Sequence, residues 1–130
     1  KDKLSKSNEQ LYFPYQKIAM TSGEEKVFGL GIKNTGDISL NLGVIFQMRA
    51  GEEFADFKPG KVDSFGTGED SFKAGIDWDN TILKYTPGQG VPIVFTLTAP
   101  NKFGNYLYKA KVVKEDGSDY ATKTFFVRVS

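Results

Sequence analysis

The side chains best suited to chemistry are two carboxylates and an amide in the middle of the chain. Asp77, Asp79 and Asn80 place three oxygen ligands within four residues. Calcium takes about six to eight such oxygens, so these side chains form a candidate calcium site. The stretch lacks the D-x-D-x-D-G spacing of the common calcium loop. Four nearby lysines also offset the acidic charge: Lys58, Lys61, Lys73 and Lys84. The alternative interpretation is a set of solvated loop charges with no cofactor.

Aromatic side chains provide a second candidate site. Trp78, the single tryptophan, could form a flat platform for a sugar ring together with Tyr12, Tyr15 and Tyr85. The competing interpretation is core packing, because a large ring contributes most when it is buried. The core interpretation carries more weight, and the platform interpretation predicts that Trp78 is exposed to solvent.

The composition excludes most catalytic chemistry. The 130 residues include no His and no Cys, which excludes a Ser-His-Asp triad, a cysteine nucleophile and the usual zinc, blue-copper and haem ligands. The 17 basic and 16 acidic residues give a formal charge of +1, so there is no basic excess to hold phosphates. A glycosidase carboxylate pair would need a cleft that a small β domain lacks. We expect neither catalysis nor nucleic-acid binding.

Apolar residues alternate with other residues along several segments, and this period of two predicts β-strands. The alternating segments are 28–33, 39–49, 91–97, 106–112 and 125–129. Turn residues at 34–37 predict a hairpin between the first two strands, and Asp116-Gly117 predicts a second hairpin near the C-terminus. Residues 50–90 are less regular and predict short strands joined by long loops.

About seven or more strands and no convincing amphipathic helix predict an all-β sandwich of two antiparallel sheets. Strands 39–49 and 91–97 should face each other across its core. The residues predicted to point inward are Leu42, Val44, Phe46, Val91, Ile93, Phe95 and Leu97. Those predicted to point outward are Gln47, Arg49, Thr96 and Thr98.

The N-terminal region predicts a tether followed by an edge strand. Residues 1–10 are polar and alternately charged, which is typical of a tether, and one domain then spans residues 11–130. Residues 11–20 predict the first strand, with Pro14 confining it to a sheet edge because proline cannot donate to a ladder. An exposed edge can pair with another chain. The candidate partner-binding residues are Leu11, Phe13, Tyr15 and Ile18.

Two short motifs resemble passages of a known family. Residues 28–37, FGLGIKNTGD, resemble the "xVxNTGD" strand-turn-strand opening of immunoglobulin-like domains in archaeal and bacterial surface proteins. Residues 98–100, Thr-Ala-Pro, followed by Gly104-Asn105-Tyr106, resemble the "AP…G-x-Y" passage of the same domains. The resemblance implies that the Tyr106 hydroxyl bonds back to the backbone at a sheet corner.

The resemblance also implies a setting and a function. The chain resembles the ectodomains of archaellum stator proteins and of pilus or surface-layer components. The resemblance implies that any membrane anchor would lie upstream of Lys1. We therefore expect a non-catalytic domain at the cell surface that assembles or anchors an appendage or envelope layer. Its partners would be other copies of itself or another surface protein, bound through an edge strand or a sheet face. The alternative is a carbohydrate-binding module that uses exposed aromatics.

Overall fold

The computed structural model describes residues 9–130, which form β-strands and one turn of 3-10 helix at Gly68–Asp70. The strands are β1 (Leu11–Tyr12), β2 (Lys17–Met20), β3 (Glu25–Lys33), β4 (Leu40–Ala50), β5 (Glu53–Asp56), β6 (Lys61–Phe65), β7 (Phe72–Trp78), β8 (Leu83–Tyr85), β9 (Gly90–Thr98), β10 (Gly104–Lys114) and β11 (Asp119–Val129). Within the described range, no helix has the length and apolar character needed to cross a membrane.

The strands form two sheets that pack face to face. The five-stranded sheet has the order β1-β3-β9-β7-β6, and the six-stranded sheet has the order β2-β11-β10-β4-β5, with β8 paired to the start of β4. The predicted all-β, immunoglobulin-like sandwich of seven or more strands is confirmed. The pairing of β2 with β11 is parallel, whereas the sequence indicated antiparallel sheets throughout.

The core lies between β4 of the six-stranded sheet and β9 of the five-stranded sheet, as predicted. The β4 residues Leu42, Val44 and Phe46 are buried. On β9, Phe95 and Leu97 are buried, while Val91 and Ile93 are half-buried. Because strand side chains alternate between faces, Gln47, Arg49, Thr96 and Thr98 lie on the outer sides of the sheets.

The predicted first strand is wrong in one respect, because residues 11–20 form two strands in different sheets. β1 pairs with β3 in the five-stranded sheet, and β2 pairs with β11 in the six-stranded sheet. Pro14 lies between them, where the missing amide donor interrupts the ladder. Both strands lie at sheet edges, as Pro14 predicted. Residues 1–8 of the predicted tether lie outside the described residues, while the Gln10 carbonyl accepts a hydrogen bond from the Lys33 amide at 2.9 Å.

The hairpin predicted between β3 and β4 is also wrong. These strands belong to different sheets, because β3 pairs with β1 and β9 whereas β4 pairs with β10, β5 and β8. Residues 34–37 reverse the direction of the chain and lead it from the five-stranded sheet to the six-stranded sheet. Each strand then contributes its apolar side to the shared core from the opposite sheet.

Asn34 fixes this crossing through three side-chain hydrogen bonds. The Nδ2 group donates to the Ile38 carbonyl at 2.8 Å and to the Tyr85 carbonyl at 3.0 Å. The Oδ1 atom accepts from the Gly36 amide at 3.0 Å. Asn34 is fully buried, so its polar atoms need these partners. The asparagine of the first motif thus joins the crossing to β8, 51 residues away along the chain.

The C-terminal hairpin is confirmed. β10 and β11 pair antiparallel along most of their lengths, and Gly117 has a φ of 90°, a left-handed conformation that favours glycine. The Asp116 carboxylate accepts a hydrogen bond from the Ser118 amide at 2.9 Å. This Asp-Gly turn sets the register of two neighbouring 11-residue strands of the six-stranded sheet.

The corner role implied for Tyr106 is present. Its hydroxyl donates to the Lys102 carbonyl at 2.7 Å, four residues upstream. Gly104 has a φ of 149°, and a Cβ there would lie 3.6 Å from the Tyr106 ring. The G-x-Y motif therefore combines an unusual backbone conformation with a ring placed to hold the loop before β10.

Candidate interaction surface

The four predicted partner-binding residues divide between the core and the surface. Leu11, Phe13 and Ile18 are buried in the domain's own core, and only Tyr15 is exposed, at 47%. The Phe13 ring centroid lies 4.9 Å from that of Phe125 on β11. Three of these side chains therefore complete this sandwich, and partner binding by the segment stays a prediction.

The backbone edges formed by the same segment are short or partly covered. β1 has two residues, which offer few groups for pairing with another strand. On β2, the Ala19 carbonyl accepts a hydrogen bond from Lys26 Nζ at 3.3 Å. A lysine placed over an edge is a common protection against pairing with other chains. The edges are thus less open to a partner than the sequence indicated.

The candidate calcium ligands lie on a strand and in the loop that follows it. Asp77 lies on the outer side of β7, opposite Thr96 of β9. The Asp79 carboxylate accepts the Thr81 amide at 2.9 Å, and hydrogen bonds from the Thr81 side chain and backbone lower the pKa of Asp79. Asn80 follows in the loop before β8. Residues 9–130 contain no group of three or more acidic side chains placed to hold a metal ion, and calcium binding by Asp77, Asp79 and Asn80 stays a prediction.

The aromatic platform built on Trp78 and Tyr85 is wrong, because both rings are buried. Trp78 is 5% exposed, and its Nε1 donates to the Val44 carbonyl at 2.9 Å. That carbonyl lies in the stretch of β4 between the segments paired with β8 and β5. Trp78 packs edge to face on Phe46 at 4.9 Å. The ring closes a gap at the sheet edge and cannot stack on a sugar.

An uncharged surface occupies the centre of the outer side of the five-stranded sheet. Val27 is 67% exposed and Val94 is 62% exposed. Gly29 lies opposite Val94 in the β3–β9 register, and Thr96 lies opposite Val27. We call this surface the valine face. Its exposed or half-buried members are Val27, Gly29, Pro92, Val94 and Thr96, and the buried Gly31, paired with Tyr12 of β1, completes its strip along β3.

A concavity of about 420 Å³ opens beside the valine face. Tyr15 forms part of its wall, with the ring edge-on to Phe13 at 5.4 Å and to Phe28 at 5.6 Å. These two contacts hold the exposed tyrosine in place. The lining residues are Tyr12, Pro14, Tyr15, Val27, Phe28, Gly29 and Val94. The wall is apolar with tyrosine hydroxyls, which suits contact with another protein.

A polar cleft of about 360 Å³ borders the other side of the valine face. Its carboxylates come from Glu25 and Asp77, and its hydroxyls come from Thr96 and Thr98. Gly75 lies on the cleft wall, where an added Cβ would sit 2.8 Å from the Lys61 carbonyl oxygen. The valine face is therefore an uncharged strip that borders a cleft lined by the acidic residues Glu25 and Asp77 and by the basic residue Lys61.

The outer side of the six-stranded sheet has a different character. Lys109 Nζ lies 4.1 Å from the centroid of the Phe54 ring, and Lys111 forms an ion pair with Asp119 at 3.4 Å. Gln47 donates to the Asp56 carboxylate at 2.6 Å. Lys109, Lys111 and Asp56 on this sheet thus each have a side-chain neighbour. Exposed Phe126 is an isolated aromatic among them, which is ordinary for a soluble surface.

The valine face was missed by the sequence interpretation, although signals for it were present. β3 alternates Phe28, Leu30 and Ile32 with glycines where a solvated strand usually carries polar side chains. In β9, Val94 falls in the outward phase of the alternation. An apolar residue in the outward phase of two neighbouring strands is the pattern that indicates such a face.

Comparison with known proteins supports the fold. A scan against protein-family models and a search of curated proteins found no match. Among solved structures, the chain is similar to AvmM, which catalyses macrocyclization in alchivemycin A biosynthesis. The TM-score is 0.54 at 10% identity, covering 92% of this chain and 86% of AvmM. A family 123 glycoside hydrolase from Clostridium perfringens gives a TM-score of 0.51 at 13% identity, covering 87% of this chain and 22% of the enzyme.

A further similarity is to PapD-like domain 7 of human CEP192, with a TM-score of 0.46 and 12% identity. It covers 93% of this chain and 84% of that domain's chain. At identities this low, AvmM and the hydrolase show shared architecture and nothing about substrate or partner. Strand order, the Tyr106 corner and the shared architecture of AvmM and the hydrolase support the immunoglobulin-like β-sandwich.

Proposed function

We propose that this domain is a non-catalytic interaction module at the cell surface. It helps to assemble or anchor a surface appendage or envelope layer through protein contacts of the valine face. The observation that carries the proposal is the exposure of Val27 and Val94 around Gly29, with no charged side chain among the six residues of the face.

Exposed valines cost solubility without stabilising the sandwich. Apolar area left in water forgoes about 25 cal/mol for each Å² that burial would remove. Contiguous apolar patches on a soluble protein commonly mark contact sites, whereas single exposed apolar residues do not. Val27 and Val94 lie on paired strands beside an apolar concavity, so they form a patch and not isolated exceptions.

A sheet face supports this proposal better than an edge strand does. Side chains of the predicted donor segment are used in the core, and the β2 edge is partly covered by Lys26. A face instead offers flat, rigid backbone with side chains already positioned by two strand pairings. Preorganised surfaces lose little conformational entropy on binding.

The surface setting is supported by the two motifs. Asn34 and Tyr106 each perform a structural role at the positions where the resemblance to immunoglobulin-like surface domains was found. The chain has no His and no Cys, so the imidazole and thiolate chemistry used by many enzymes has no residue to perform it. The partners proposed are other copies of this protein or another appendage or envelope protein.

The test places a charge on the valine face of the full-length protein in its producing cells. Val94→Lys should lower recovery of the protein in the appendage or envelope fraction by about tenfold, because a charge would have to be desolvated at the contact. The matched control is Thr122→Lys, an exposed position on β11 of the other sheet. Thermal melts should show both purified variants folded.

Two results would contradict the proposal. The first is unchanged recovery of Val94→Lys, which would remove the valine face from assembly. The second is an equal loss in Thr122→Lys, which would point to charge in general and not to this face.

A further inference from the structure

We infer that the partner of the valine face is a second copy of this chain, packed face to face about a two-fold axis through Gly29. The inference rests on the proposed function, because it names the occupant of the same surface. Its basis is a self-complementary order of residues along the outward side of β3.

The outward residues of β3 are Glu25, Val27, Gly29, Gly31 and Lys33, since Leu30 and Ile32 point into the core. Rotation about an axis through Gly29 and perpendicular to the strands places position 25 over position 33 of the second copy. The same rotation places position 27 over position 31. Each acidic end therefore meets a basic end, and each Val27 is placed over position 31, where Gly31 is itself buried beside Tyr12.

The register of β9 extends the same match. Val94 lies opposite Gly29 and hence beside the axis, so the two copies of Val94 meet. Thr96 lies opposite Val27 and Pro92 lies opposite Gly31, so Thr96 of one copy meets Pro92 of the other. The contact centre is uncharged, with one ion pair at each end, which is the usual arrangement of a core and polar rim.

The charges at the two ends are available for this contact. Among residues 9–130, the ion pairs involve Glu24 with Lys26, Lys111 with Asp119, and Lys123 with Glu9. Glu25 and Lys33 are in none of these pairs. Aligned sheets cross at about 30°, which offsets the ends sideways, and the long side chains of Glu25 and Lys33 can reach across such an offset.

An isologous contact needs this internal symmetry, because one patch must serve as both partners. A different protein would need no such order along one strand. The palindromic arrangement of charge along β3 is therefore the reason for choosing a second copy as occupant.

Sedimentation velocity on the purified domain tests the inference with single charge reversals. As its concentration is raised to about 1 mM, the wild type should form a dimer, because weak specific contacts have dissociation constants up to this range. Glu25→Lys and Lys33→Glu should each weaken the dimer by about tenfold or more, because like charges would then meet at both ends. Lys84→Glu, an exposed reversal on β8, should leave it unchanged.

Mixing the two reversed variants provides the decisive arm. Glu25→Lys mixed with Lys33→Glu should recover dimer, because the heterodimer has opposite charges at both ends. A monomeric wild type, a dimer unaffected by either reversal, or a mixture that stays monomeric would each overturn the inference. A monomeric wild type would leave the proposed function standing, since that fails only through the Val94→Lys recovery experiment.

Discussion

The rings of Phe46 on β4 and Phe95 on β9 lie 4.7 Å apart between centroids, and they join the two sheets at the centre of the sandwich. Both side chains are almost completely buried. Phe46 also contacts Trp78, so the aromatic contacts continue to the indole that closes the β4 edge. The contact between Phe46 and Phe95 is at the centre of the core, and this core supports the valine face on the other side of β9.

Truncating either ring should destabilise the domain strongly. Phe46→Ala or Phe95→Ala should lower the free energy of unfolding by about 3 to 5 kcal/mol, since each leaves a cavity between the sheets. Gln47→Ala, one residue along and on the outer side, should cost at most about 1 kcal/mol. Urea melts measure these differences. Equal costs at positions 46 and 47 would overturn the inward and outward assignment of β4.

Removal of one buried hydroxyl should stabilise the protein. The Tyr108 hydroxyl is buried without a hydrogen-bond partner in the described part of the chain. Tyr108→Phe should therefore raise the free energy of unfolding by about 1 kcal/mol, because burying an unpaired polar group is unfavourable. Tyr106→Phe is the matched comparison, and it should lower stability by about 1 kcal/mol because its hydroxyl bonds to the Lys102 carbonyl. The same sign for both variants in urea melts would contradict this account.

Tyr108 should also make the free energy of unfolding fall in alkaline solution. Burial, with a smaller effect of nearby Tyr106, raises the pKa of Tyr108 far above its ordinary value. The unfolded chain then releases this proton near pH 10 while the folded chain retains it, so stability is full below pH 10 and falls above it. At pH 11, one such group lowers the free energy of unfolding by about 1.4 kcal/mol.

Comparison of melts at pH 8 and pH 11 tests this pH dependence. The loss of stability should be smaller in Tyr108→Phe than in the wild type, because the variant has no proton to release at this position. Every other ionisable side chain is present in both proteins, so the difference between them reports on position 108. An identical loss would show that Tyr108 ionises as readily in the folded state as in the unfolded chain.

Asn34 should be the most sensitive polar residue of the fold. Asn34→Ala leaves the Ile38 and Tyr85 carbonyls without their side-chain donor, and should cost about 2 to 4 kcal/mol. Asn41→Ala is the control, since Asn41 is exposed and its side chain donates to the Glu115 carboxylate at 2.5 Å, and the variant should cost under about 1 kcal/mol. A cost at position 34 no larger than at position 41 would remove Asn34 from the crossing between sheets.

Local patterns predicted the strands well because alternation reflects which face of each strand meets the core. The runs through Phe46 and Phe95 lie on opposing sheets as predicted, and Asp116-Gly117 fixes its hairpin by local interactions, the backbone preference of Gly117 and the Asp116 carboxylate bond to Ser118. The turn after β3 was misassigned because its residue types only reverse the chain. Whether the next strand stays in the same sheet depends on partners such as Tyr85, far along the chain.

The candidate site was harder to predict for a related reason. The types of Leu11, Phe13 and Trp78 are compatible with the core or with a binding surface, and packing against distant strands shows them buried. The valine face depends on the β3–β9 register, which sets Gly29 beside Val94. A single strand contains no information about which neighbour completes its outer surface.

Photo-cross-linking in producing cells tests the role of the valine face most directly. A photoreactive phenylalanine analogue replaces Val94 in the full-length protein, and the same analogue at Thr122 reports on the opposite sheet. The account predicts cross-linked protein complexes from position 94 at a yield several times that from position 122. Complexes from position 122 with none from position 94 would contradict it.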